Sequence, residues 1–141
     1  MTRAERRYRS AIARHLAPIQ LGAREYELLR HVRVGETSIP SQLARRCGVT
    51  RQFMHRLLNR LQQNGFVERW ERDRGRGSDV AVTLTDEGRE ILDEAELRIA
   101  CFRNGVLERF GAQQQAALRA LLEELDATVE LAERRPGKFE P

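Results

Sequence analysis

The 141 residues are 40% hydrophobic and 33% charged, an ordinary balance for a globular chain long enough to bury one real core. No apolar run is long enough to span a bilayer, and the charged residues 1–9 lead into an amphipathic segment unlike a signal peptide, so membrane and secreted classes are disfavoured and a cytoplasmic protein is expected. The net charge of +4 is polarised: residues 1–80 hold 17 Arg against 8 acids and residues 81–141 hold 8 Arg or Lys against 13 acids, which points to a polyanionic partner for the first half.

In chain order, a first helix over residues 4–16 sets Tyr8, Ala11, Ile12 and Leu16 on one stripe and ends at Pro18 and Gly22. A second, over residues 23–34, turns Tyr26, Leu29 and Val32 inward. Pro40 suits a first helical turn because its missing N–H would be unpaired there anyway, so a short third helix spans residues 40–46. Cys47-Gly48-Val49 makes a turn. Thr50, a good N-cap, then opens a fourth helix that runs to about residue 64 and stops at Gly65.

The fourth helix has two unlike faces. Met54, Leu57, Leu58 and Leu61 follow the spacing of a helix packed on a core. Arg51, Gln52, His55 and Arg56, with Asn59 and Arg60 a turn later, form a polar face able to reach base edges or phosphates in a major groove. Arg matches the guanine O6/N7 edge and Gln the adenine N6/N7 edge, each with two bonds. Phe53 flanks this face, where it either touches a thymine methyl or packs against the neighbouring helix.

Residues 66–71 and 80–84 read as two strands, the second with Val80, Val82 and Leu84 alternating with Ala81 and Thr83. Between them lies a Gly-rich loop with Arg72, Arg74 and Arg76, dense positive charge on a projecting tip that can lie in a narrow minor groove. Helix, turn, basic helix and basic hairpin together spell a winged helix-turn-helix that binds double-stranded DNA.

Two long helices follow, over residues 86–110 and 112–133, separated by Gly111. The first carries Ile91, Ala95, Ile99, Phe102 and Val106; the second carries Leu118, Leu121, Leu122, Leu125 and Val129. So much apolar surface outside a compact lobe is most simply buried against a twin, which predicts a homodimer. Its expected interface is Tyr8, Ile12 and Leu16 with Phe102, Val106 and the five apolar residues of the last helix. The expected organisation is mainly α with a small β-hairpin wing: dimerisation helices at 1–22 and 86–133, a DNA-binding lobe at 23–85 and a loose tail at 134–141.

The chain resembles the MarR (multiple-antibiotic-resistance regulator) family. The resemblance rests on Ser41 through Val49, on Leu57-Leu58-Asn59-Arg60-Leu61, on Asn64 through Arg69, and on Leu84-Thr85-Asp86-Glu87-Gly88 leading into a long helix. It implies an obligate homodimer on a pseudo-palindromic operator, usually repressing, often released by a small aromatic or anionic effector. It also implies an effector cleft lined by the first two helices and the start of the long one, where Arg14, His15, Tyr26 and Arg30 are the candidates. An arginine beside a histidine and an aromatic ring suits a small aromatic acid; the alternative is that His15 and Tyr26 are interface packing with satisfied hydrogen bonds and that the arginines are solvated. The family's wing carries Asp-x-Arg where this chain has Arg76 and Ser78, so the minor-groove role passes less directly to Arg74 or Arg76.

Other chemistries find little footing. Cys47 and Cys101 lack metal or disulfide spacing and read as small packing residues, and no cysteine falls in the first helix, where peroxide-sensing relatives carry theirs. His15, His31 and His55 sit on three separate helices without a catalytic motif, so neither an enzyme nor a bound metal or cofactor is expected. The alternative is a winged helix that docks on protein without binding DNA, a reading that leaves Arg51, Arg56, Arg60 and the wing arginines unexplained.

Overall fold

In the computed structural model, which describes residues 2–35, 38–73 and 78–134, helices and a two-stranded antiparallel hairpin follow in the expected order. The first helix, α1 (Arg3–Leu16), starts earlier than predicted because Thr2 and Glu5 close a capping box. The Thr2 hydroxyl accepts the Glu5 amide and the Glu5 carboxylate accepts the Thr2 amide, each at 3.2 Å. A 3-10 turn at Ala17–Ile19 and the left-handed Gln20 then fold the chain back, with the Leu21 amide reaching the Leu16 carbonyl at 3.4 Å. That turn carries Leu16 into the core, where it is fully buried. Leu16 is therefore a core residue of its own chain and not the dimer-interface residue expected from the helical stripe.

After α2 (Ala23–Gly35), the helices α3 (Pro40–Arg46) and α4 (Arg51–Gln63) occupy their predicted places. Gly48, at φ 61°, supplies the turn between them, and the Thr50 hydroxyl accepts the Phe53 amide at 3.1 Å to cap α4. At its other end the Phe66 amide bonds the Leu61 carbonyl at 2.9 Å and the Gly65 amide bonds the Gln62 carbonyl at 3.0 Å, with Gly65 left-handed at φ 75°. This is a Schellman stop.

The strands β1 (Val67–Asp73) and β2 (Ser78–Leu84) pair antiparallel, Val67 opposite Leu84 and Asp73 opposite Ser78, and both run longer than predicted. Ser38 adds a rung on the other side of β2, exchanging backbone hydrogen bonds with Val82 at 3.1 and 2.8 Å. β2 buries Ala81 as well as Val82 and Leu84, while Val80 is exposed, so the simple alternation expected there fails.

The chain forms two compact units, residues 1–101 and 102–141. The first holds a core in which Leu28, Leu29, Leu43, Met54, Leu58, Leu61 and Leu92 are fully buried. Its last helix, α5 (Asp86–Leu107), is latched to the end of α4. The Thr85 hydroxyl donates to the Gly65 carbonyl and accepts the Gly88 amide at 2.9 Å, and the Thr85 amide donates to the Phe66 carbonyl at 3.2 Å. Gly88 permits this approach, because a Cβ there would overlap the Phe66 carbonyl oxygen.

The second unit is the end of α5 and α6 (Ala112–Arg134). α5 stops short of residue 110 because its last amides turn to tighter partners, Arg109 to the Val106 carbonyl and Phe110 to the Leu107 carbonyl. The Gln115 side chain bonds the Leu107 and Phe110 carbonyls at 2.8 and 2.9 Å and so holds the corner. No described residue of this unit is buried: Leu118, Leu121, Leu122, Leu125 and Val129 are all exposed. Of the expected tail, Arg134 closes α6 and residues 135–141 lie outside the described residues. Among the described residues no helix is long and apolar enough to cross a membrane.

Candidate nucleic-acid interface

The geometry of α4 is set from both sides. Its apolar stripe of Met54, Leu57, Leu58 and Leu61 is buried, which turns Arg51, Gln52, His55, Arg56, Asn59 and Arg60 to the surface. Within that polar face the structure separates two groups. In the first two turns Arg51, Gln52 and His55 make no side-chain hydrogen bond or ion pair among the described residues. Phe53 is half-buried against the core, as its packing reading requires, and the Arg56 guanidinium stands 5.6 Å from its ring centroid. These groups are available to a duplex, with one arginine already steadied on an aromatic face.

Further along the helix the polar groups are committed. The Asn59 side-chain oxygen Oδ1 accepts from Arg69 Nη2 and the Gln62 side-chain oxygen Oε1 from Arg69 Nε, both at 2.6 Å, so β1 is pinned to the recognition helix. Arg60 donates to Glu25 at 3.2 Å, and the other Glu25 oxygen accepts the Gly22 amide at 2.8 Å. Asn59 and Arg60 are thus exposed on the polar face and at the same time bonded within the lobe. Glu25 and Arg69 were missed by sequence reasoning. The spacing from Gly22 to Glu25 does carry a helix-start signal, but no local pattern names Arg60 as the partner. Arg72 lies opposite Asp79 in the wing ladder, and Arg74 and Arg76 lie outside the described residues.

A second polar cluster ties α2 to α5. Arg33 reaches Asp93 at 2.6 Å, Glu96 at 3.1 Å and the Arg89 carbonyl at 3.3 Å. Arg30, an effector candidate, pairs with Glu96 at 3.8 Å while its guanidinium stands 5.7 Å from the Tyr26 ring. The structure thus brings Tyr26 and Arg30 together, with the Arg30 charge already partly answered. Arg14 and His15 are exposed on the last turn of α1. Open clefts of about 560, 370 and 350 Å³ are lined respectively by residues around Trp70 and Glu87, around Arg33 and Arg89, and around Pro18 and Phe66. None of the three takes in an effector candidate.

Cys47 is buried, and burial, with a smaller contribution from the Glu27 charge, pushes its thiol up to about 11. A thiol so disposed is an inert packing group. Cys101 is exposed, so the packing role expected of it is not met within this chain.

A capped helix presenting unpaired basic and amide side chains, beside a hairpin pinned to it, defines a winged helix-turn-helix of the DNA-binding class. Comparison with known proteins agrees: a model of the MarR family matches residues 19–77. The HTH-type transcriptional repressor Rv2887 of Mycobacterium tuberculosis is 31% identical over 117 residues, 83% of this chain and 84% of that protein. The chain belongs to the MarR family. The structure of Rv2887 in complex with salicylic acid superposes with a TM-score of 0.71 at 30% identity, covering 87% of this chain and 90% of that one. A mutant MarR from E. coli complexed with operator DNA matches with a TM-score of 0.73 at 22% identity, covering 86% of each chain. The repressor CouR bound to a 23-mer DNA duplex matches at 0.79 with 24% identity, covering 88% of this chain and 87% of that one. The last two matches establish likeness of fold.

Proposed function

We propose that this chain is a cytoplasmic transcriptional repressor of the MarR type, a binding protein rather than an enzyme, that sits on an inverted-repeat operator as a two-fold dimer. The observation that carries the reading is the pair of uncommitted turns at the start of α4, where Arg51, Gln52, His55 and Arg56 face outward on a helix fixed by the Thr50 cap and a buried apolar stripe. Arg56 and Gln52 read base edges, while Arg72, Arg74 and Arg76 of the wing bind backbone or minor groove. The exposed leucines of α6, with Tyr8, Ile12, Phe102 and Val106, supply the dimer contact, and residues 23–85 form the reading lobe. A two-fold axis sets recognition helices about one DNA turn apart, roughly 34 Å, so half-sites fall about 10 base pairs centre to centre.

Selection of bound sites from a random duplex pool, followed by gel shift and light scattering, tests this. An inverted repeat bound by a dimer is expected; a monomer in solution, or no duplex binding at low salt, rejects the reading. Release by a small aromatic acid is proposed as well, on the support of the salicylic acid complex of Rv2887, with Arg14, His15, Tyr26 and Arg30 as the residues to test. An effector must bind the DNA-incompatible state more tightly than the compatible one. Millimolar salicylate that moves neither the gel shift nor the melting temperature rejects this part.

A further inference from the structure

Glu25 is buried to 3% exposure at the start of α2, with one carboxylate oxygen on the Gly22 amide and the other on Arg60 of the recognition helix. Arg60 itself is open to solvent, its side chain 68% exposed. At 1.5 Å of rise per residue, Arg60 stands about 12 Å along α4 from Gln52. That is about the width of a major groove, so a helix entering by its first turns carries Arg60 level with the flanking phosphates. A mobile arginine there is one more sequence-independent contact on any duplex. A carboxylate withdrawn from water attracts a guanidinium more strongly than a hydrated phosphate does, and releasing Arg60 strands that carboxylate without a counter-charge.

We infer that Glu25 is a positioning residue that holds Arg60 off the DNA backbone, keeping the sequence-independent grip of the protein low and leaving recognition to the first two turns of α4. This rests on the DNA-binding reading above. In the free and bound protein alike, Arg60 belongs to Glu25.

The test is the salt dependence of binding to a random duplex, measured by fluorescence anisotropy for the full chain and three variants. Glu25→Gln keeps the shape and the acceptor for the Gly22 amide but removes the charge. It should bind random duplex several-fold more tightly at low salt and steepen the plot of log K against log salt by about 0.9 for each arginine released. Arg60→Ala should leave the parent's slope unchanged, and Glu25→Gln with Arg60→Ala should abolish the gain of the single variant. A Glu25→Gln slope equal to the parent's overturns the inference, as does a shallower slope in Arg60→Ala, which would place Arg60 on phosphate already. Should Glu25→Gln melt below the assay temperature, the parent and all three variants are compared at a lower temperature at which it is folded. Absence of duplex binding by the parent at low salt would instead reject the DNA-binding reading, and this inference with it.

Discussion

Gly88→Ala puts the latch between α4 and α5 to a quantitative test. An added Cβ overlaps the Phe66 carbonyl oxygen, a backbone atom that cannot swing aside as a side chain would. The carbonyl is already engaged by the Thr85 amide at 3.2 Å, and the Gly88 amide by the Thr85 hydroxyl at 2.9 Å. Forcing a methyl into such a contact costs about 1 to 3 kcal/mol, and here, against backbone, the upper part of that range applies. Losing one of the two hydrogen bonds adds about 1 kcal/mol. The better helix propensity of alanine returns about 1 kcal/mol. The clash wins, for a net loss of roughly 2 to 3 kcal/mol. At about 4 °C per kcal/mol for a chain of this size, the melting temperature should fall by roughly 10 °C. Thermal melts followed by far-UV circular dichroism at one protein concentration measure it. A variant melting within about 2 °C of the parent, or above it, would show that α5 does not bear on the end of the recognition helix as described.

Gln52→Ala or Arg56→Ala should each cost about 1 to 3 kcal/mol on the selected operator and relax base preference there, whereas Arg74→Ala or Arg76→Ala should weaken all duplexes evenly; selection from the random pool separates the two. Because the Cys47 thiol ionises at about 11 in the fold against an ordinary 9.0, the unfolded chain loses its proton first. Stability from this group should therefore be whole below pH 9 and decline by about 2 to 3 kcal/mol as the pH rises to 11, a decline that Cys47→Ala removes from the pH series of melts. The buried Ser38 hydroxyl has no hydrogen-bond partner among the described residues, so Ser38→Ala, which keeps the backbone bridge to Val82, should raise stability by about 1 kcal/mol; a lower melting temperature would point to a partner beyond those residues.

What could be read from the chain and what could not divide along a physical line. The α3 and α4 spans were legible because each signal is local: a proline at the first turn, a threonine cap, a glycine stop, and an apolar period that faces one way. The T-x-x-E signal at Thr2 and Glu5 is equally local, and it sets the start of α1. Tertiary partners leave no such mark. Nothing near Ser38 names Val82, nothing near Arg69 names Asn59, and Glu25 announces its helix start but not its hold on Arg60. The same limit separated Leu16 from Leu121. Both lie on apolar stripes of exposed-looking helices, yet a turn at Pro18 folds the first into its own core while the second stands in solvent. Periodicity tells which face must be covered and is silent on what covers it. For Leu16 the chain itself answers. For the open leucines of α6 the cover proposed above is a second copy, which bears the same stripe and is present wherever the first is made.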